Sequence, residues 1–229
     1  MESMTITISG TSSTLENQLC PSIPLSPNKN YFVGLASFFG YNSLANIKKG
    51  NNKFYIGGVQ IVIPTGAYEL EEVASYIQNY LKQRNINTVI FITPNNNTLR
   101  CEITSTAEID FRPLDSIANL LGFRHRILPS NFHHVSDFPV NILKVNSLRV
   151  ECSITNGAYI NNQQVHTIHE FFPDVPTGFK IIEVPRQIIY LPVSVQTIDR
   201  IQLRIVDQDG DLVDFRGEVI TIRLHIKSA

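Results

Sequence analysis

The sequence has little charge, and neither sign dominates. Of the 229 residues, 17% are charged, whereas about a quarter is usual for globular proteins. The 19 basic and 20 acidic residues nearly cancel. Proteins that bind nucleic acid through its phosphates normally carry a basic excess or a basic stripe, so we expect no direct contact with nucleic acid. A weakly charged surface suits a protein that lies against other protein.

Cysteine is scarce, and the chain has no long apolar run. Cys20, Cys101 and Cys152 are widely spaced and odd in number, a pattern that fits neither a disulfide framework nor a zinc motif. We expect reduced, mostly buried thiols. The first residues lack the basic region followed by an apolar region that a signal peptide has. No apolar run approaches the roughly 18 residues of a membrane span, so we expect neither feature.

The motifs of common enzymes are missing as well. There is no glycine-rich dinucleotide or phosphate loop, and neither a serine nor a cysteine stands in a convincing nucleophile context. The paired carboxylates Glu71 and Glu72 fall on the polar side of a predicted helix, where solvation is the simpler interpretation. The sequence therefore predicts no catalytic residue, no cofactor and no enzyme activity.

One acidic segment superficially resembles a calcium loop. Asp207, Asp209 and Asp211 alternate, and Glu218 follows eleven positions after Asp207. The sixth position, which should be glycine, is Leu212, and the flanking segments have strand patterns rather than helical ones. The Asp-Gly pair that ends at residue 210 is a hairpin signal with its own mechanism, a turn with positive φ. We predict a hairpin here and no metal site.

Histidines occur in two clusters. His166 and His169 are three apart, and in a strand this spacing points their side chains to opposite faces, so they cannot share a metal. His133 and His134 stand close to Asp137 without a defined spacing. The second cluster is either an ordinary loop or a pH-sensing or interface group, since histidine titrates near neutrality.

The ends of the chain are patterned as β-strands. Residues 142 to 155, 165 to 172, 179 to 184, 188 to 193, 198 to 206 and 218 to 226 have strand character, and turn signals separate them. Together with strands in the first 63 residues they number eight or more. Short strands at this spacing indicate a single jelly-roll β-sandwich, and the fold class is mainly β.

The middle of the chain has a different character. Apolar residues from Leu70 to Leu81 recur at helical spacing, and two strands flank a hairpin turn at residues 94 to 97. A second short helix is predicted at residues 114 to 121, ended by Gly122. We therefore predict an N-terminal arm or connector at residues 1 to 29, a jelly roll at residues 30 to 58 and 124 to 229, and a small α/β insertion at residues 59 to 123. Residues 124 to 141 are expected to be irregular.

Adjacent aromatic residues suggest surfaces for association. Phe38-Phe39 and Phe171-Phe172 lie in predicted strands, and Tyr190 lies in an apolar run at residues 188 to 192. Neighbours in a strand point to opposite faces, so one member of each pair must find cover outside the sandwich core. We take these five residues as interface candidates.

Several segments resemble one family. Residues 145 to 160 (VNSLRVECSITNGAYI), 166 to 173 (HTIHEFFP) and 201 to 227, with its Asp-x-Asp-Gly and Phe-Arg-Gly-Glu elements, resemble the minor capsid (penton) proteins of Polinton/Maverick elements and adintoviruses. Residues 63 to 73 and 116 to 123 are similar to the same family. The resemblance extends over most of residues 55 to 227.

This resemblance implies a structural protein of a virion. It implies a single jelly roll, five copies of which form the vertex capsomer of an icosahedral shell, among double jelly-roll major capsid proteins. Such a capsid is assembled inside the host cell, in the cytoplasm or the nucleus. The alternative is a monomeric, lectin-like binding module, because jelly rolls also serve as lectins. Residues 207 to 214 are the only candidate ligand loop for that alternative.

Overall fold

A computed structural model describes residues 3 to 141 and 145 to 229 of the chain. In these residues no helix has both the length and the apolar character needed to cross a membrane. The described elements are one helix and eighteen strands. In chain order they are β1 (Ser3–Gly10), β2 (Thr14–Pro24), β3 (Tyr31–Tyr41), β4 (Lys53–Ile56), β5 (Val59–Val62), α1 (Leu70–Gln83), β6 (Ile90–Asn95), β7 (Arg100–Ser105), β8 (Ile109–Asp110), β9 (Ile127–Leu128), β10 (His133–Pro139), β11 (Leu148–Cys152), β12 (Ala158–Ile160), β13 (Gln163–Val165), β14 (Thr167–Phe171), β15 (Lys180–Glu183), β16 (Leu191–Pro192), β17 (Thr197–Val206) and β18 (Ile220–Ser228).

The chain divides into two compact units, and the second is inserted into the first. Unit 1 comprises Met1–Leu44 and Val145–Ala229, and unit 2 comprises Ala45–Lys144. The predicted insertion, residues 59 to 123, is shorter than unit 2 at both ends. One reason is long-range pairing: β4, which forms a hairpin with β5, also pairs with β8, and Phe54 on β4 is fully buried in the core of unit 2.

Unit 1 is a jelly roll of two antiparallel sheets. Sheet A has the strand order β1-β18-β3-β15, with β16 also paired to β3, and sheet B has the order β14-β11-β17-β2. Most strands that follow each other in the two sheets thus alternate between sheet A and sheet B, as in a jelly roll. β12 and β13 form a separate hairpin. The predicted fold class, a mainly β single jelly roll with a small α/β insertion, is confirmed.

The first 29 residues contain two strands of the sandwich. β1 pairs with β18 from Ser3 to Gly10 without a register shift, and β2 pairs with β17. Ile6, Ile8 and Leu15 are buried in the core. The predicted arm or connector differs from this arrangement because the partner strands lie at the other end of the sequence, where a local pattern cannot reveal them.

One end of the jelly roll gathers four connections. Gly10 lies opposite Ile220, and Tyr41 lies opposite Lys180. Four connections therefore lie at the same end of sheet A: the β1–β2 turn, the exit of the chain after β3, the start of β15 and the start of β18.

The core of unit 1 fills the space between sheets A and B. Alternate residues of β3, β11, β17 and β18 point inward and are buried. Phe38 contributes the central ring, with its centroid 5.1 Å from that of Phe171 and 6.2 Å from that of Phe215. Tilted aromatic pairs at such distances add roughly 0.5–1.5 kcal/mol each to the burial of their area.

Unit 2 has its own core beneath two small sheets and a helix. Sheet C has the order β5-β4-β8-β9, and sheet D has the order β10-β7-β6. The predicted helix is confirmed as α1, which begins with a capping box formed by Glu69 and Glu72. Its buried residues, Leu70, Val73, Ala74, Ile77 and Leu81, recur every three or four positions and join the core of unit 2.

Two local predictions in unit 2 were wrong. Residues 114 to 121 form turns rather than a helix. Gly122 follows them with a φ of 78°, and its backbone lies close to the Phe138 carbonyl. Residues 124 to 141, expected to be irregular, contain β9 and β10. β9 pairs with β8 and β10 pairs with β7. This pairing stabilises two strands that the local sequence does not predict.

Candidate assembly surface

The outer face of sheet A carries an exposed apolar area at β15. Phe39 lies directly opposite Ile182, and Tyr41 lies opposite Lys180, so all four side chains stand on one face. Tyr41 is 42% exposed and Ile182 is 60% exposed. The Lys180 Nζ lies 5.6 Å from the centroid of the Phe39 ring, a cation–π distance. We call Phe39, Tyr41, Lys180 and Ile182 the β15 patch.

Beside this patch a segment of chain crosses the outer face of sheet A. Residues 185 to 190, which we call the strap, connect β15 to β16, and both strands pair with β3. A Cβ at Gly34 would lie 2.4 Å from the Ile188 Cγ2 and 2.6 Å from the Ile189 carbonyl oxygen. The strap can therefore lie this close to β3 only because residue 34 is glycine.

The end of the strap is held by Tyr190. Its hydroxyl lies 2.6 Å from the His225 Nδ1 on β18, and the Lys227 Nζ lies 3.7 Å from the centroid of the Tyr190 ring. A hydrogen bond and a cation–π contact thus fix the same ring against sheet A. The outer face of sheet A is consequently partly covered by its own chain.

The outer face of sheet B is built from ion pairs. Arg200 on β17 lies 2.6 Å from Glu16 on β2, and Arg204 lies 3.0 Å from Glu151 on β11. A third pair joins Arg149 and Glu170 at 3.3 Å. These paired charges remain partly exposed to solvent. The two outer faces of the sandwich therefore differ in chemistry, and the apolar one is the candidate assembly surface.

Comparison with known proteins gives one informative result. No protein-family model matches the sequence, and no curated protein matches it significantly. Among solved structures, the crystal structure of the selenomethionine-labelled mavirus penton protein aligns with 100% of this chain and 100% of its own chain, with a TM-score of 0.55 and 13% sequence identity. The fold of this chain is similar to that of the mavirus penton protein. At this identity the likeness concerns the fold alone.

The five predicted interface residues are distributed over both sides of the sheets. Phe38 and Phe171 are buried in the core of unit 1, so they are not available to a partner. Their neighbours point outward: Phe39 belongs to the β15 patch, and Phe172 is 70% exposed. Tyr190 is half-buried in the strap. Phe39, Phe172 and Tyr190 stay candidates.

Sequence reasoning did not single out the other members of the patch. Tyr41 and Ile182 are ordinary strand residues by type, and their exposure depends on which face of sheet A meets the core. A usable signal was present, because in residues 180 to 183 only Ile181 and Ile182 are apolar. Two adjacent apolar residues in a strand require one to point outward.

The acidic segment after β17 forms the predicted turn. One oxygen of Asp207, Oδ1, accepts hydrogen bonds from the backbone N–H groups of Asp209 and Asp211, and Gly210 has a φ of 88°. The carboxylate thus stabilises the turn itself. In the described residues, no group of three or more His, Cys, Asp or Glu side chains could hold a metal ion.

The histidines have separate partners. The His166 Nδ1 lies 2.6 Å from the Thr155 carbonyl oxygen, whereas the His169 Nε2 lies 2.8 Å from the Glu183 Oε1. In unit 2, His133 faces Glu102 at 3.6 Å and His134 contacts the Pro129 carbonyl oxygen. In each pair, the two histidines therefore contact different groups.

The three cysteines are free thiols with different surroundings. Cys101 and Cys152 are buried, whereas Cys20 is exposed on β2. Burial raises the pKa of the Cys101 thiol to about 12 and that of Cys152 to about 11. Buried thiols with raised pKa values are poor nucleophiles near neutral pH, so these two act as small apolar core residues.

Proposed function

We propose that the protein is a structural capsid subunit, a penton that forms the vertex capsomer of an icosahedral shell as a homopentamer. The observation that carries this proposal is the full-length alignment of both units with the mavirus penton protein. The sequence resemblance to the penton proteins of Polinton/Maverick elements and adintoviruses supports the same role.

The surfaces of unit 1 are compatible with a ring. A closed ring requires two different surfaces on each subunit that fit each other, because its contacts run head to tail. The β15 patch provides an apolar surface on sheet A, and sheet B provides a charged one. The β15 patch is available for one side of such a contact, whereas the ion pairs keep the outer face of sheet B hydrated.

The proposed location and partners follow from the role. The protein would lie in the virion capsid, surrounded by double jelly-roll major capsid proteins, after assembly inside the host cell. Its work would be mechanical, so no catalytic residue, cofactor or direct contact with nucleic acid is needed. The near-neutral balance of 19 basic and 20 acidic residues fits a protein whose neighbours are proteins.

The decisive measurement is the mass of the purified protein in solution. Light scattering over a concentration series should give five times the chain mass of 25.8 kDa for the protein alone, or, with a candidate major capsid protein, a complex that contains five copies of the chain. Electron microscopy of the same fractions should show five-fold rings. A monomer under every condition, with no binding to the major capsid protein, would refute the proposed function.

The lectin-like alternative is not favoured by the structure of its candidate loop. One oxygen of the Asp207 carboxylate, Oδ1, already accepts hydrogen bonds from two backbone N–H groups within the turn. A strictly monomeric protein would nevertheless be screened against calcium and glycans. Stabilisation by calcium together with glycan binding would replace the capsid proposal by a binding module.

A further inference from the structure

β1 is an edge strand that can pair with a further strand. β1 lies at the end of sheet A and pairs only with β18 among the described strands. In an antiparallel edge strand, every second residue directs its N–H and C=O groups away from its neighbour. These groups are ready to pair with a strand of another chain.

β1 also lacks the features that usually protect an edge. From Ser3 to Gly10 it contains no charged residue and no proline, and its register with β18 is regular. By contrast, β2 contains two prolines and a register shift in its pairing, and the pairing of β14 also shifts. Lysine, proline and bulges are the devices by which edges avoid association. By these criteria β1 is better suited to a lasting contact than β2 or β14.

The opposite edge of sheet A is β15. β15 runs antiparallel to β3, β3 antiparallel to β18, and β18 antiparallel to β1. A second β1 placed beside β15 in the same sense would again be antiparallel to its neighbour. Sheet A could thus continue from one subunit into the next without a break, and a contact between its two different edges is head to tail, as a ring requires.

We propose that β1 of one subunit pairs with β15 of the next copy of this chain, so that sheet A continues from subunit to subunit. This inference rests on the proposed homopentamer and identifies its contact surfaces. Two of the four residues of β15 direct their N–H and C=O groups away from β3 and can pair with another strand, and the β15 patch beside it adds apolar contact. The partner strand is a second copy because β1 and β15 are complementary edges of the same sheet.

The side chains of the two edges match on both faces. Thr5 and Thr7 of β1 point outward and are exposed, whereas Ile6 and Ile8 point into the core. On β15, Ile182 points outward and Ile181 inward. In a continuous sheet the threonines would lie beside Ile182, and the inner isoleucines would lie near Ile181. Cross-strand contacts between β-branched residues stabilise a sheet.

The test places a charge on each edge in turn. Thr7→Lys puts an ammonium group on the outer face of β1, and Ile182→Glu puts a carboxylate on β15. Both side chains are exposed, so each single variant should fold with an unchanged circular dichroism spectrum. Each should raise the concentration needed for ring assembly by about tenfold or more, since an unpaired charge disfavours the contact. Thr5→Lys tests the neighbouring register.

The double variant distinguishes this contact from others. In a head-to-tail contact, Thr7→Lys or Thr5→Lys combined with Ile182→Glu places a lysine opposite a glutamate at every contact, so assembly should be restored. Combining either lysine with Ile182→Lys should not restore it. The matched control is Thr11→Lys, which adds the same charge in the exposed β1–β2 turn and should leave assembly unchanged.

Hydrogen exchange reports the backbone pairing directly. Amides of residues 3 to 10 should gain protection in the ring relative to the monomer, as should those of residues 180 to 183. Rings that form normally in the lysine variants, or without new protection of β1, would overturn the β1–β15 contact while leaving the proposed function intact. Two-fold dimers abolished by Thr7→Lys would overturn it in favour of β1–β1 pairing. A wild-type protein that never assembles with any partner would reject both proposals.

Discussion

The two outer faces of the jelly roll have been built in opposite ways. The outer face of sheet A has aromatic and aliphatic side chains in the β15 patch and a strap of chain held over Gly34. The outer face of sheet B has cross-strand ion pairs, such as Arg204 with Glu151. Both sheets use the same alternation to bury one face in a shared core. The difference is confined to the residues that the core does not constrain.

This difference shows how one sandwich can have both a soluble face and an associating face. Exposed ion pairs contribute little to stability, commonly 0–1 kcal/mol, but they keep a face hydrated. Covering exposed apolar surface with a partner lowers the free energy by roughly 25 cal/mol per Å² buried. Three sets of variants test whether the two faces differ as described, in decreasing order of expected effect. A labelling experiment then tests the separation of core and surface.

The largest effect is expected at the strap. Gly34→Ala places a Cβ within 2.4 Å of the Ile188 Cγ2 and 2.6 Å of the Ile189 carbonyl oxygen, so the strap must move away from sheet A. We expect the free energy of unfolding to fall by about 2 kcal/mol, measured by urea denaturation. Adding Ile188→Ala should recover part of this loss, because it removes only one of the two clashing atoms. Full stability of Gly34→Ala alone would show that the strap does not pack as described.

A smaller effect is expected at the end of the strap. Tyr190→Phe removes the hydroxyl that lies 2.6 Å from the His225 Nδ1 and keeps the ring near Lys227. The free energy of unfolding should fall by about 1 kcal/mol, the usual contribution of one hydrogen bond. Tyr159→Phe, at an exposed tyrosine on β12, is the control and should have no measurable effect. Equal values for the two variants would contradict the anchoring role of Tyr190.

The ion pairs of sheet B should contribute least to stability. In a double-mutant cycle of Arg204→Ala and Glu151→Ala, we expect a coupling free energy of about 0.5 kcal/mol. It should decrease in high salt, because ions screen exposed charges. A coupling above about 2 kcal/mol that is insensitive to salt would indicate that this face is buried in the protein's solution state.

Thiol labelling tests the separation of core and surface without affecting stability. With a thiol reagent at pH 8, Cys20 on β2 should react promptly. Cys101 and Cys152 should react only on unfolding, since they are buried and their pKa values are raised to about 12 and 11. Mass spectrometry should therefore find one label per native chain and three per denatured chain. Prompt labelling of Cys152 would show that the core beneath sheet B opens.

Local patterns predicted some elements accurately. The apolar spacing from Leu70 to Leu81 predicted α1, and the Asp-Gly pair at residue 210 predicted the turn after β17. Both succeed because the interactions that form them lie within a few residues of each other. The short helix expected at residues 114 to 121 was wrong, because the local preference for helix in so short a segment is weak and turns form there instead.

The candidate surface was predicted only in part. Adjacent aromatic residues correctly signalled that one of each pair points outward, yet they could not show that Phe38 and Phe171 are the buried members. Which residues of a strand point into the core depends on the register in which the strand pairs with its neighbours. Tyr41 and Ile182 were missed for the same reason, because their exposure follows from the register between β3 and β15.

The amino-acid sequence alone was enough to predict the fold class and which segments form strands or helix. Alternating apolar residues specified strands, helical spacing specified α1, and the balance of charges argued for protein neighbours. The tertiary structure decided which strands share a sheet, where unit 2 begins and ends, and which face stays exposed. The physical reason is distance along the chain: Ser3 pairs with Lys227 and Ile56 lies opposite Ile109. Only the folded chain brings such partners together, and their register then fixes the face on which each side chain lies.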